Sequence, residues 1–500
     1  MSIGRHAAWN VAGQAIPLLV ALVAYPLLAR WAGLERIGVM SLAWVLIGYL
    51  GLLDLGMGRV ITRRIARARE QGRVAEEWRT TRASIGIVAL LACLGSAIAW
   101  MIAIHGIDEL NASPAIRQEA RDALPWLVAG VLPIAIGGLL MGSLEGFSAF
   151  ARVNAVRMAL GVVGYLGPVV VAFLHPSLPA MIGVVTVTRW IAVVALVGIA
   201  TATMLQFETG PGSSATRLSD VLHSVREGIW MALSNIVGPL LTMIDRFVIA
   251  IVISATATAL YTLPFDMISK LLLVPAAVSS ALFPVLARAE FDDAARTALL
   301  KAMAWAGALL APVCTLIAGL AHFGLEHWMG TAFADGAHLS MRWLALAMLF
   351  GGLALIPYAA LQAREHSRDT ALLHLLELPF YLALLWYGVQ WLGTTGAALA
   401  CLIRMLADLL LMRAGTQRRL GLSLGSISAA RLVMISAPVL IAIGLSGFTA
   451  QNAWIEWGTT LPLAALSALI VWRGLLIPAG CDTRAPVDLA RRLIGLGPLT

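Results

Sequence analysis

The groups that could do chemistry in this chain are ionisable side chains set inside apolar runs. Asp245 and Arg246 fall within the run 227–253, and Asp266 and Lys270 within 257–287. Arg189, His374, Glu377, Arg404 and Asp408 interrupt other such runs, while Arg30 and Asp54 stand near the ends of two more. A charge at the centre of a bilayer costs about 2.5–3.5 kcal/mol on insertion scales, so these groups must pair or face water inside a bundle. Arginine and lysine at depth attract an anion, and phosphate is well matched by their donors. Neighbouring carboxylates either hold the cations in place or bind a proton or Na⁺. A cation carrier should show a chamber dominated by carboxylates, whereas here both signs occur with cations in the middle.

Spacing refines these expectations. Asp266 and Lys270 are four apart, share a helix face and can partner each other. Arg404 and Asp408 have the same spacing and either neutralise each other or remain available to a ligand. His374 and Glu377, three apart, read as a hydrogen-bonded pair in preference to a proton relay. Asp245 and Arg246 are adjacent, point to different faces and need separate partners. At about 1.5 Å per residue from the span ends, Arg189, Lys270 and Arg404 fall near the midplane. Asp266, Glu377 and Asp408 are also deep, and Asp245 and Arg246 lie in the outer half. Arg30 is at the outer end of the first span and Asp54 near the inner end of the second.

The elements that must carry these groups are membrane helices. The chain has 500 residues, 60% hydrophobic and 12% charged, with mean hydropathy +0.86, against about 25% charge for a soluble domain. About fourteen spans of some 20 residues are expected, from 9–30 and 37–57 to 431–449 and 454–472. The fold class is therefore all-α integral membrane. The first run follows the start closely and is too long for the apolar region of a cleavable leader, so none is expected. Pro264, Pro275 and Pro284 should bend the span 257–287.

Lysine and arginine in short loops orient the spans. The stretch Arg59–Arg82 carries eight arginines, and Arg413–Arg431 and Arg473–Arg492 are also basic. With fourteen spans these lie on the side of Arg5, so both termini are expected in the cytoplasm. The net charge of +8 thus belongs to cytoplasmic loops and headgroups, not to nucleic acid. The beginning of Arg59–Arg82, and Val487–Leu496, read as interfacial amphipathic helices resting on anionic headgroups. The polar stretch 207–226 reads as a linker between two six-helix lobes, 1–206 and 227–415. Faint matches support a repeat: Asn10–Gly13 with Asn235–Gly238, and Ile65–Ala68 with Leu286–Ala289. An even number of spans per lobe makes the repeats parallel, about a pseudo-two-fold along the membrane normal. Two extra helices, 431–472, and a tail, 473–500, lie outside the repeat.

Other candidates read more plainly. His322, Glu326, His327, Asp335 and His338 suggest a solvated loop before a metal site. Cys93, Cys314, Cys401 and Cys481 are scattered, with no metal-ligand spacing. A membrane polymerase or ligase would need a large extramembrane loop with a catalytic cluster, and the longest outer loops have about 20 residues. No enzyme, cofactor or bound metal is expected.

Several stretches resemble a known family. Pro26–Arg30 with Gly33 and Gly38, then Asp54–Gly58, resemble the N-terminal hairpin of Wzx-type oligosaccharide flippases of the multidrug/oligosaccharidyl-lipid/polysaccharide exporter superfamily. Gly142–Gly146 with Phe150 and Asn154, Ile244–Phe247, Tyr261, Leu282–Pro284, Pro357–Tyr358, Leu361–Gln362, Glu377–Pro379 and Gly396–Ala398 follow in the family's order, over residues 1–415. The resemblance implies a pair of six-helix lobes around a cationic cavity. It implies transfer of an undecaprenyl-pyrophosphate-linked glycan from the cytoplasmic to the periplasmic leaflet of a bacterial inner membrane. Alternating access, coupled to H⁺ or Na⁺, is implied as the mechanism, with membrane lipids and other polysaccharide-assembly proteins as partners. On that reading Arg30, Arg189, Arg246, Lys270 and Arg404 bind the diphosphate, and Asp54, Asp245, Asp266, Glu377 and Asp408 are coupling or structural acids. A multidrug-type exporter and a peptidoglycan-precursor flippase are the alternatives on the same fold.

Overall fold

The computed structural model describes residues 3–51, 57–204, 241–287, 293–364, 366–421, 429–449, 453–477, 479 and 481. Asp54, the linker 207–226, Asn235–Gly238 and Val487–Leu496 lie outside the described residues. Those described are helical, with no strand among them. Lipid offers the backbone no hydrogen bonds, so a spanning segment must satisfy its own, and apolar runs of this length do so as helices. Nine helices among the described residues are long and apolar enough to cross a bilayer. An exposed apolar stripe runs along the helix Val74–Gly106, where Leu90, Leu94, Ile98, Met101 and Ile102 are each more than half exposed. Such a stripe would be an aggregation surface in water. The chain is a multi-pass membrane protein.

Two compact units divide the chain, Met1–Ala259 and Leu260–Thr500. The first contains α1 (Ile3–Ala32), α2 (Leu34–Gly51), α3 (Met57–Glu70), α4 (Val74–Gly106), α5 (Pro114–Ala129), α6 (Val131–Gly146), α7 (Phe150–Leu174), α8 (Leu178–Met204) and α9 (241–252). Tyr25 of α1, Trp44 of α2 and Tyr165 of α7 meet edge to face, with centroids 5.7–6.2 Å apart. Arg36 and the backbone N–H of Leu178 both donate to Glu119, binding the ends of α2, α5 and α8 together. Asn111 links α9 to the start of α10 (Ala255–Ile268): its backbone N–H donates to the Ala250 carbonyl, and its carbonyl accepts from Ala255 N–H.

The amphipathic helix expected after Arg59 forms as α3, but its apolar side does not rest on lipid. Met57, Ile61 and Ile65 are buried in a core shared with Val131, Ala135 and Leu139 of α6. The Thr62 hydroxyl lies 2.8 Å from the Gly142 carbonyl, where it donates. Burial against protein wins because α6 presents small residues there, which let the two helices approach closely.

The second unit is built around α14 (Thr331–Ala363), buried almost throughout from Leu344 to Ala360. Around it stand α11 (Leu273–Leu286), α12 (Asp293–Gly319), α13 (Ala321–Met329), α15 (Ser367–Leu420), α16 (Ala429–Thr449) and α17 (Ala453–Val471). The last two helices pack against α12, so they belong to this unit. Between α10 and α11 the residues Ser269–Leu272 tighten to a 3₁₀ turn. Pro275 cannot donate to the carbonyl of Leu271, and the tighter turn accommodates that lost bond. The tightening also changes the angular offset between residues 266 and 270. The expected Asp266–Lys270 pair is absent among the described residues: Lys270 is exposed and forms no ion pair.

Candidate functional site

The clearest polar constellation in the second unit is set by α15. Gly393 breaks this helix with φ 62° and ψ −140°, a region in which a Cβ is strained. The two arms then return antiparallel in close contact: a Cβ on Gly396 would overlap the Gly388 carbonyl oxygen. Further down the hairpin His374 meets Asp408, and at its far end Arg419 pairs with Asp369 at 2.9 Å. All three pairs bracket Gly393 almost symmetrically, so one tight turn fixes the register of the site. His374 and Asp408 lie roughly 22–28 Å from the turn at about 1.5 Å per residue.

His374 Nε2 lies 3.2 Å from Asp408 Oδ1. The Tyr358 ring of α14 stacks on the imidazole, with centroids 5.7 Å apart. Glu377, one turn along from His374, is 7% exposed, and neither carboxylate oxygen has a hydrogen-bond partner. One ligand atom each from His374, Glu377 and Asp408 lie within 4.8 Å of one another. Arg404 is buried with its guanidinium 5.3 Å from the Tyr381 ring centre. Its Nη2 contacts Met405 Sδ at 3.5 Å, and its Nε has no partner.

One sequence expectation is corrected here. His374 pairs with Asp408 across the hairpin and is not hydrogen-bonded to Glu377 on its own arm. Arg404 lies against Tyr381 and Met405 and makes no direct ion pair with Asp408, but Asp408 and Glu377 both lie near enough to act on its charge. Two carboxylates against one guanidinium leave one negative charge in excess when the imidazole is neutral. A buried excess charge is costly, and a proton or a cation removes it.

The other candidates divide between the two units. Asp245 and Arg246 are both buried, and the Arg246 N–H donates to Asp245 Oδ1 at 2.9 Å. Arg189 is half-buried in the middle of α8, with its buried Nη1 lacking a hydrogen-bond partner. Arg30 is exposed in the last turn of α1. Asp266 is half-buried and Asp54 lies outside the described residues. Arg189, Lys270 and Arg404 form no ion pair among the described residues. The first unit also holds a cavity of about 530 Å³ between α2, α4 and α5, lined by residues such as Leu42, Ile98, Ile102, Leu124 and Phe247. No charged side chain lines it, so it offers nothing to hold a charged head.

Sequence reasoning missed a second buried pair. Arg342 of α14 and Glu456 of α17 are 1% and 2% exposed, with Nη2 and Oε1 3.8 Å apart. Arg342 Nε donates to the Ala318 carbonyl at 3.1 Å. The signal was present, because each residue lies just inside an expected span. The group around His322 is also different from the expected loop. It is helical, with His322 Nε2 2.9 Å from Asp335 Oδ1 and its ring edge-on to His338 at 5.3 Å.

Comparison with known proteins places this geometry. A Shigella flexneri protein, a candidate O-antigen transporter, is 29% identical over 416 residues, which cover 83% of this chain and 97% of that protein. Among solved structures, the lipid II flippase MurJ in an inward closed conformation superposes with TM-score 0.66 at 12% identity, covering 94% of this chain and 98% of that one. An inward-facing multidrug resistance MATE family transporter of the MOP superfamily gives TM-score 0.61 at 16% identity, covering 84% and 99%. At these identities the structures establish a shared fold. Residues 3–290 match the polysaccharide biosynthesis protein family, and the chain belongs to that family.

Proposed function

We propose that the protein is a flippase for a polyprenyl-pyrophosphate-linked oligosaccharide. It moves this substrate from the cytoplasmic to the periplasmic leaflet of the bacterial inner membrane by alternating access. The carrier is undecaprenyl pyrophosphate, and movement is coupled to H⁺ or Na⁺. One observation carries this reading above the others: Arg189 and Lys270 form no ion pair among the described residues. Cations left without a counter-ion in an apolar layer suit a ligand that supplies one, and a diphosphate does. Family membership and the Shigella flexneri relative support the glycan.

Arg30 and Arg246 complete the set that neutralises the head group. Asp54, Asp245, Asp266, Glu377 and Asp408 hold these cations or carry the coupling ion. Of the acids described, Glu377 suits coupling best, since its carboxylate is buried without a hydrogen bond. The organisation in this reading is two parallel six-helix lobes, 1–206 and 227–415, joined by 207–226. The helices within 431–472 extend the second lobe, and both termini are cytoplasmic. Other polysaccharide-assembly proteins are its partners in the membrane.

The test is reconstitution into vesicles with a fluorescent polyprenyl-pyrophosphate glycan, read by accessibility of the label to an impermeant quencher. Transfer by the wild type and its loss in Arg404→Ala and Arg189→Ala are expected. Equal transfer by empty vesicles, or full transfer by both variants, would remove the reading.

A further inference from the structure

We propose that His374, Glu377 and Asp408 form a site for a divalent transition-metal ion of the zinc type. This goes beyond the transport reading and does not rest on it. One imidazole and two carboxylates supply the ligands, and one donor atom from each already lies within 4.8 Å of the others. Zinc bonds to nitrogen and oxygen run about 2.0–2.2 Å, which sets ligand atoms about 3.3–3.5 Å apart around a tetrahedral ion. His374 Nε2 and Asp408 Oδ1 stand 3.2 Å apart, close to that edge. The Glu377 carboxylate, within 4.8 Å of the other two donors, would close on the ion when it binds.

The second observation is Glu377 itself. Its carboxylate is 7% exposed, neither oxygen has a hydrogen-bond partner, and it lies within reach of the other two ligands. A metal would satisfy that carboxylate and remove the excess negative charge left after Arg404. Imidazole also selects the class of ion: Na⁺, Mg²⁺ and Ca²⁺ prefer all-oxygen shells, whereas zinc and cobalt accept nitrogen readily. The ligands are rigidly presented. Tyr358 stacks on His374, and the Gly388–Gly396 contact sets the register of the two arms. Three protein ligands leave a fourth position for water or an anionic oxygen. The Arg404 guanidinium opposes a dication, so the affinity should fall below that of an enclosed structural zinc site.

The full chain, purified in detergent and stripped with a chelator, is titrated with Co²⁺ and its visible ligand-field bands are followed. Bound Zn²⁺ is counted by equilibrium dialysis. One site per chain is expected, with intense bands of four-coordinate cobalt that Zn²⁺ displaces and excess Na⁺ does not. His374→Ala, Glu377→Gln and Asp408→Asn should each weaken binding at least about tenfold, while His322→Ala should not. A second measurement uses wild type only: Zn²⁺ should protect His374 from diethylpyrocarbonate, located by peptide mass spectrometry. No cobalt bands, unprotected His374, or full-strength binding in His374→Ala would overturn the site.

Discussion

The buried Arg342–Glu456 pair yields a quantitative prediction about the last two helices. The charges lie 3.8 Å apart, and both side chains are almost wholly excluded from solvent. At an effective dielectric of about 20 that separation corresponds to roughly 4 kcal/mol of attraction. The separation exceeds hydrogen-bonding distance, and neither Arg342 Nη2 nor Glu456 Oε1 has another partner. Coulomb attraction therefore does most of the compensation for two desolvated charges. Glu456→Gln leaves the guanidinium buried with only the Ala318 carbonyl, and Arg342→Met leaves the carboxylate its Phe323 backbone hydrogen bond but no guanidinium. Each should lower stability by about 3–5 kcal/mol, the usual effect of breaking a buried pair from one side. Removing both charges together should cost less than either single change, because no uncompensated charge remains. The assay is a double-mutant cycle on thermal unfolding in detergent, followed by fluorescence-detected size exclusion. Additive losses in Arg342→Met/Glu456→Gln would refute the argument, since they would mean that the two side chains act independently.

Further outcomes follow from other contacts. Gly396→Val should remove folded protein from the membrane, because the new side chain overlaps the Gly388 carbonyl, and a normal monodisperse peak would contradict the close approach. Gly393→Ala should cost about 1–3 kcal/mol through its positive φ, measured as a lowered midpoint of unfolding. Glu119→Ala removes the acceptor of two Arg36 bonds and one from Leu178, and should cost about 1–2 kcal/mol after allowance for partial exposure. Arg404→Ala should reduce glycan transfer about 10–100-fold with membrane levels unchanged, as expected for one charge-assisted contact to phosphate; normal surface polysaccharide in a strain carrying it would exclude Arg404 from head-group binding.

Much of the architecture could be read from the chain. The spans expected at 153–174 and 178–205 match α7 and α8 within a few residues, and 370–391 and 394–413 are the two arms of α15. Of the span 228–253, only the part from residue 241 is described. The prolines flank a 3₁₀ interruption between α10 and α11. The amphipathic character of α3 was legible too, but the surface that covers it was not. Charge partners were the least legible feature. Sequence offers only neighbours three or four residues away, which suggests His374 with Glu377 and Asp266 with Lys270. Neither pair forms among the described residues. A hairpin register, a stacked tyrosine and a 3₁₀ turn decided otherwise.

Apolar run length and the placement of charges within it are one-dimensional quantities, and they determined that this is an all-helical membrane chain with ionisable groups at depth. They also determined which residues to suspect. Which of those residues meet depends on how helices rotate and slide against one another, a matter of packing between segments far apart in sequence. That packing alone gave His374 to Asp408, left Glu377 without a hydrogen bond, and joined Arg342 to Glu456 across 114 positions of chain.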